Sequence, residues 1–469
     1  MKNSLRPVIS LREALVSGCD ERIFLDPITH KNKYFLDPAQ SEGLFQRGSC
    51  TCGTLTPSGL KSAQHFLESY PDRHYESLIA EQAGRIRALF SPTDEFDVFF
   101  GPSGSDMMYL PLLFQSLLRP GKKIVNIVSC PEELGSGSKM AAEAKYYATY
   151  TQFGETVEKE TLLDHSLTSQ VEYLDARGAD GRILDRKELI KCIVQDNPDA
   201  ALIGNLVFGS KSGISDDLNI IDEVEQEVMW VVDMCQFRTD NALVHSLLQK
   251  GAMVMITGSK FFQSPPFCGA LLVPRQWTDA LRRVQIVSPV SVFNRLFSAY
   301  DMPASLPGLR KGLERRENAG LRLRWNVALD EMEAYARWTA AETNEVIQDW
   351  NAAVTDRLRN SRLFELMPDQ EMTNDSIVSF MVKVNDEPLN NEQLKTLFKT
   401  LVTSQQSGFE GPFQNVFIGQ PVQYGQCSFI RLAIGSYSVR KLLERGGFYG
   451  ANDMHLISLI EKTALDLFS

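Results

Sequence analysis

The 469-residue chain has no surplus of basic charge: 48 Lys and Arg stand against 59 Asp and Glu, a formal charge of -11. A surface of that sign, with a pI near 5.2 and no Lys/Arg cluster, argues against nucleic acid or an anionic membrane as partner, since both would repel it. No apolar run approaches the roughly 20 residues that a bilayer crossing requires. The N-terminal stretch MKNSLRPVISLREALVSGCDERIF scatters charges among its apolar residues and lacks the continuous apolar region of a signal peptide. Eight cysteines without a regular framework point to a reducing compartment. Cys50 and Cys52 form only a C-x-C with no second Cys or His pair nearby, so no metal site is expected. Internal repeats and low-complexity segments are absent as well. The chain reads as soluble and cytoplasmic, and with 43% hydrophobic residues it can bury a large core.

What is present is an alternation of apolar runs with amphipathic stretches between about residues 80 and 275. FDVFFG, KKIVNIVS, QVEYLDA, AALIGNLVF, MWVVDM, AMVMIT and GALLVP read as strands, and the helical stretches between them imply a largely parallel sheet covered on both faces. Residues 76–300 are therefore expected to form one large α/β domain with a mostly parallel seven-stranded sheet. Beyond residue 300 a long helical region, 313–360, precedes SIVSFMVKV, NEQLKTLFKTLV and CSFIRLAIG, read as strand, helix and strand of a smaller α+β domain spanning 301–469. Residues 1–75 are too irregular to fold alone and are expected to pack with that smaller domain and the site entrance.

Four segments fall where strands end. In DVFFGPSGSDMMYL a strand, a Gly/Ser turn and a helix place Ser103, Gly104 and Ser105 where backbone N–H groups and the helix dipole can cradle one phosphate. The bland alternative is a turn with an N-cap. In MWVVDMCQFRTD, Asp233 ends a buried strand, where a carboxylate is costly without a cationic partner; it can also cap the next turn or pair with Arg238. In LIGNLVFGSKSG, Asn205 follows a buried run, as a cofactor contact or as a partner for backbone groups. In MVMITGSKFFQSPPFCGALLVP, Lys260 stands on a short connection after Thr257 and Ser259, as a functional amine or as a surface cation.

Taken jointly, the phosphate-type turn, the buried Asp and the strand-end Lys match the needs of pyridoxal 5'-phosphate (PLP): an anion cradle, a carboxylate for the pyridine nitrogen and an amine for a Schiff base. In GPSGSD, VVDMCQ and TGSK the chain resembles the fold-type-I PLP enzymes, and within them the class V aminotransferase, cysteine desulfurase and kynureninase branch. That resemblance implies Lys260 as the Schiff-base lysine, Asp233 on the ring nitrogen and Gln236 near the phenolic oxygen. It implies Ser103, Gly104, Ser105, Thr257 and Ser259 around the phosphate, and Arg431, in QCSFIRLAIGSYSV, as the anchor of a substrate carboxylate.

Two departures stand out. Many relatives carry a His after the second strand that stacks on the ring; here VSCPEELGSGSKMAA has Glu132, Glu133 and Leu134, and the Gly-rich stretch that follows reads as a plain loop or, alternatively, as room above the ring for a bulky substrate. Asp106 stands where relatives place a hydroxyl, with its side chain expected to turn away. The resemblance leads to an enzyme acting on an amino acid or its derivative by aminotransferase-type chemistry. A lyase or carbon–carbon bond-forming enzyme and a catalytically silent binding protein are the alternatives. It also implies a homodimer with shared sites, and the apolar loop FFQSPPFCG would suit such an interface unless its Phe residues tuck inward.

Overall fold

Two sheets organise the computed structural model, which describes residues 9–48, 53–90, 95–238, 241–284, 290–425 and 427–469. Cys50 and Cys52 lie outside the described residues. In chain order the strands are β1 (Leu44–Arg47), β2 (Phe96–Gly101), β3 (Ile124–Ser129), β4 (Ser169–Leu174), β5 (Ala201–Val207), β6 (Val228–Asp233), β7 (Met253–Thr257) and β8 (Gly269–Pro274). They continue as β9 (Phe364–Leu366), β10 (Ile377–Val384), β11 (Glu387–Pro388), β12 (Asn415–Tyr424) and β13 (Cys427–Ala433).

All seven strands expected from the apolar runs are present in one sheet, ordered β2-β8-β7-β6-β5-β3-β4. Its neighbours are parallel except β8, which runs antiparallel to β7 and to β2. The connection from Gly258 to Cys268 carries no helix and is too short for a parallel crossover, so β8 must return against β7. β2, β3, β5, β7 and β8 are buried along their whole length, which is why their sequences run apolar without alternating. One face, including Phe99, Leu271 and Val273, packs on helix Tyr109–Leu118. The other, including Val98 and Phe100, meets Ile86, Phe90, Trp325 and Leu329 of helices Tyr75–Phe90 and Ala319–Tyr335.

The single helical region expected over 313–360 is two helices, Ala319–Tyr335 and Ala340–Arg359, the second begun by a capping box between Thr339 and Glu342. Arg322 and Arg324 are fully buried inside the first. Their charge is met locally: Arg324 Nε donates to the Phe267 carbonyl at 2.8 Å, and the Arg322 guanidinium lies 4.3 Å from the Phe100 ring centre.

The second sheet has the order β1-β12-β13-β10-β11, with β9 also on β10. β1 runs parallel to β12, pairing Leu44 with Asn415, so a strand from the first 75 residues completes a sheet made otherwise of the last hundred or so. No described helix is long and apolar enough to cross a membrane.

Candidate active site

Strand register brings the separate segments to one edge of the seven-stranded sheet. Val207 pairs with Asp233, Asp233 with Met255, Thr257 with Gly269, and Gly269 with Gly101. The turn after Gly101, the carboxylate of Asp233 and the chain leaving Thr257 for Lys260 therefore share the strand-end crevice where open α/β sheets hold ligands.

The turn is pressed into that edge. A Cβ on Gly104 would lie 2.4 Å from Cys235 Sγ, and one on Gly269 would lie 2.6 Å from the Ser103 carbonyl carbon, so glycine is required at both for the close approach. Cys235 N donates to Asp233 Oδ1 at 2.8 Å, and Thr257 Oγ1 donates to the Cys235 carbonyl at 2.7 Å. Thr257, Asp233 and Gly104 are thus tied through one residue. Ser105 Oγ lies 3.1 Å from Ser138 Oγ in the Gly-rich stretch after β3.

Asp106 does not turn away from the turn, contrary to expectation. Its Oδ2 accepts from the Ser103 backbone N at 2.8 Å and from Ser103 Oγ at 2.6 Å, a capping box that occupies the Ser103 hydroxyl. Tyr147 donates to its other oxygen at 2.8 Å. Burial pushes the Asp106 pKa up to about 6, against the Ser103 and Tyr147 hydrogen bonds and the charge of Arg22. Arg22, paired with Asp20, reaches Ser103 Oγ at 3.4 Å and brings a cation from the N-terminal segment to the turn.

Lys260 is half-buried on a braced loop. Its carbonyl accepts from Gln263 N, and Ser264 N donates to the Gly258 carbonyl, each at 3.1 Å. Phe261 and Phe262 tuck inward: Phe262 packs 5.3 Å from Phe237, and Phe261 packs 5.2 Å from Tyr335. The FFQSPPFCG loop is accordingly buried within the chain and supplies no apolar surface for a partner subunit. Ser259, beside the lysine, is buried with no hydrogen-bond partner for its Oγ. Gln236 is buried and accepts from Arg238 Nε at 3.4 Å.

Asn205 stands apart, inside β5 two residues before its end. Its Nδ2 donates to Asn126 Oδ1 at 2.6 Å and to the Ile127 carbonyl, while its Oδ1 is buried without a partner. The loop after β5 instead carries a residue that sequence reasoning missed. Lys211 senses the charges of Glu133, Arg431, Lys260 and Asp233, and burial of its ammonium lowers its pKa to about 8. A signal for it exists: Gly-Ser-Lys occurs at 137–139, 209–211 and 258–260, each time following a strand of this sheet. Glu133 clamps the Lys211 loop, accepting from Ser210 Oγ, Ser212 N and Ser212 Oγ at 2.6–2.8 Å, and from the hydroxyl of Tyr424 on β12.

Arg431 is 2% exposed on β13, with Nη1 donating to the Lys211 carbonyl at 2.7 Å and Nη2 to the Gln420 carbonyl at 3.0 Å. The second sheet thus delivers its guanidinium directly to the Lys211 loop. Among the described residues no cluster of three or more His, Cys, Asp or Glu is placed to hold a metal ion.

No protein-family model matches this sequence, and no curated protein matches it. Solved structures do match in fold. Cysteine desulfurase from Escherichia coli superposes with a TM-score of 0.58 at 14% identity, covering 90% of this chain and 95% of its own. Phosphoserine aminotransferase from Cytophaga hutchinsonii gives 0.52 at 13% identity, over 86% and 97% of the two chains. Tryptophan decarboxylase from Catharanthus roseus gives 0.53 at 14%, over 91% and 84%. This chain therefore shares the α/β fold of these solved enzymes.

Proposed function

We propose that this chain is a PLP-dependent enzyme acting on an amino acid or an amino-acid-derived substrate, with aminotransferase-type chemistry as the leading reaction. The observation that carries this reading is the convergence of the Ser103–Ser105 turn, Asp233 and Lys260 on one sheet edge. The residues fit the cofactor by their own chemistry. The Gly104 and Gly269 contacts hold the turn against the strand ends beside Asp233, and Ser259 Oγ is a buried donor with nothing to bond.

Ser103, Gly104, Ser105, Thr257 and Ser259 would hold the phosphate, Asp233 the ring nitrogen and Gln236 the phenolic oxygen, while Lys260 Nζ would bond covalently to the aldehyde carbon. Once bound, the cofactor supplies an electron-withdrawing ring that stabilises negative charge at the substrate's Cα. The Asp233 carboxylate, fixed by the Cys235 amide, would accept a charge-assisted hydrogen bond from the protonated ring nitrogen. Lys260 would carry a proton to or from Cα. Arg431, pre-oriented by two backbone carbonyls, orients the substrate carboxylate.

A lyase or carbon–carbon bond-forming reaction is the second reading, and Lys211 favours it. Lys211, a second buried amine with a pKa of about 8 that feels the charge of Lys260 and donates to the Glu132 carbonyl at 3.1 Å, would allow one lysine to take the Cα proton while the other protonates a leaving group. A homodimer remains part of the proposal through the resemblance alone. The test is a screen of amino donors against the purified protein: half-reactions that bleach the bound cofactor and are reversed by 2-oxo acids support transfer of the amino group. Irreversible release of ammonia, carbon dioxide or a side-chain fragment overturns it in favour of the second reading. A protein that binds no cofactor overturns both.

A further inference from the structure

A cavity of about 460 Å³ lies behind the lysine loop, on the sheet face covered by helices Tyr75–Phe90 and Ala319–Tyr335. Its volume is in the range of small-molecule sites. Phe208, Phe237, Phe262, Tyr335, Trp338 and Ile347 give it an aromatic and apolar wall, faced by polar side chains that include Asn241, Asn344 and Gln348. None of Lys260, Lys211, Asp233 or Arg431 lines it, so it is separate from the strand-end crevice.

One cation, Arg238, lies in its wall. Arg238 is 7% exposed and is held by neutral partners: Nη1 donates to Ser376 Oγ and to the Ile434 carbonyl, each at 2.7 Å, and Nε donates to Gln236. The guanidinium also lies 5.3 Å from the Phe261 ring centre. No carboxylate lies within ion-pair distance of it among the described residues. Asp375, the acidic residue at the rim, has an exposed side chain and is not paired with it. Burial and the neighbouring charge of Arg431 pull the Arg238 pKa down to about 9, the mark of a charge held at a cost. The nearby Asn241, Asn344 and Gln348 amides are neutral and do not compensate it.

We propose that this cavity is a second ligand site, taking a small monocarboxylate with a planar aromatic body: the ring lies among Phe237, Phe262, Tyr335 and Trp338, and the carboxylate pairs with Arg238. The inference does not depend on the cofactor reading. A bound carboxylate would also touch the residue that joins Gln236, in the strand-end site, to Ser376 and Ile434, which directly precede β10 and follow β13, giving the ligand a route to influence how Arg431 is placed.

The test is isothermal titration calorimetry of the full-length protein with 3-phenylpropionate, using 3-phenylpropanol as the uncharged control. Saturable binding of one 3-phenylpropionate per chain is expected, at least tenfold tighter than the alcohol. Arg238→Gln should weaken it at least tenfold, and Asn344→Trp, which fills the cavity from its wall, should abolish it. Binding should persist in Arg431→Ala. No saturable binding, equal affinity for acid and alcohol, or loss of binding in Arg431→Ala, which would place the ligand in the strand-end site, overturns the proposal. Should Arg238→Gln fail to fold, undiminished binding to Asn344→Trp overturns it instead.

Discussion

The seven-stranded sheet presents its chemistry at strand ends, whereas the six-stranded sheet presents Arg431 from the middle of a strand. Asp233 and the turn before Ser103 terminate β6 and β2, and Lys260 follows β7 on a loop braced from both sides. Arg431 pairs with Gly419 and Ser379 across β12 and β10, and its orientation comes from the Lys211 and Gln420 carbonyls. On the proposed function, the first arrangement fixes the reacting groups through local turns. The second would hold a recognition group through contacts between distant parts of the chain. Covalent and proton-transfer roles should therefore reside in the first sheet, and substrate binding should depend most on the second.

The largest expected effect tests the first half of that contrast. Lys260→Ala should lower turnover by at least about 10³-fold, because on the proposed function it removes both the covalent hold and the proton carrier. Steady-state kinetics on a folded variant check it, and a loss under tenfold contradicts the role. Asp233→Asn comes next: cofactor absorbance should persist while turnover drops about 10²–10³-fold, as expected for loss of a preorganised charge. Nearly unchanged turnover would make Asp233 structural.

Arg431→Ala tests the second half. It should raise KM for a carboxylate-bearing substrate by about 2–3 kcal/mol in binding terms while changing kcat much less. Arg431→Lys should not restore binding, because a point charge cannot reproduce the fork geometry. A drop confined to kcat would break the contrast between the sheets.

Lys211 sits where the two sheets meet and should show an intermediate effect. With its pKa near 8 in the fold against an ordinary 10.5, the unfolded chain binds more protons between those values. Its charge therefore destabilises the fold below pH 8, and that cost is relieved as pH rises from 8 to 10.5. Lys211→Met should be more stable than the parent below pH 8, with the difference closing by about pH 10.5, and should remove an ionisation near 8 from the activity profile. Thermal denaturation across pH 7–11 checks the sign.

The smallest effect belongs to Asp106. Its folded pKa, about 6, lies above the ordinary 3.8, so its contribution to stability is fully present below pH 3.8 and is lost as pH rises through 6. Asp106→Asn should remove that part of the slope. A difference in Tm between variant and parent that stays constant from pH 4 to 7 would contradict it. Asp301, also raised to about 6 by burial, provides an internal comparison left unchanged by the substitution.

The large sheet was legible because its strands are buried on both faces and so appear as unbroken apolar runs, each punctuated by the residue that matters. β12 was not: Gly419, Gln420 and Pro421 interrupt it, and its partner β1 is a strand of only four residues, Leu44–Arg47, distant in sequence. Lys211 and Glu133 were missed because their importance comes from loop packing between β3, β5 and β12, which periodicity does not report. The Phe261–Phe262 pair looked like a docking surface, since local sequence carries no sign of the Phe237 and Tyr335 rings that cover it. Asn205 lies two residues before the end of β5, opposite Val231, with its Oδ1 buried and without a partner.

The central claim is that Lys260, among three lysines in Gly-Ser-Lys settings at this sheet edge, is the one that holds the cofactor. Borohydride reduction of the purified protein, followed by digestion and mass spectrometry, tests this most directly. A pyridoxyl group on the peptide containing Lys260 is the predicted result. The same group on the Lys211 or Lys139 peptide, or on none, would contradict it.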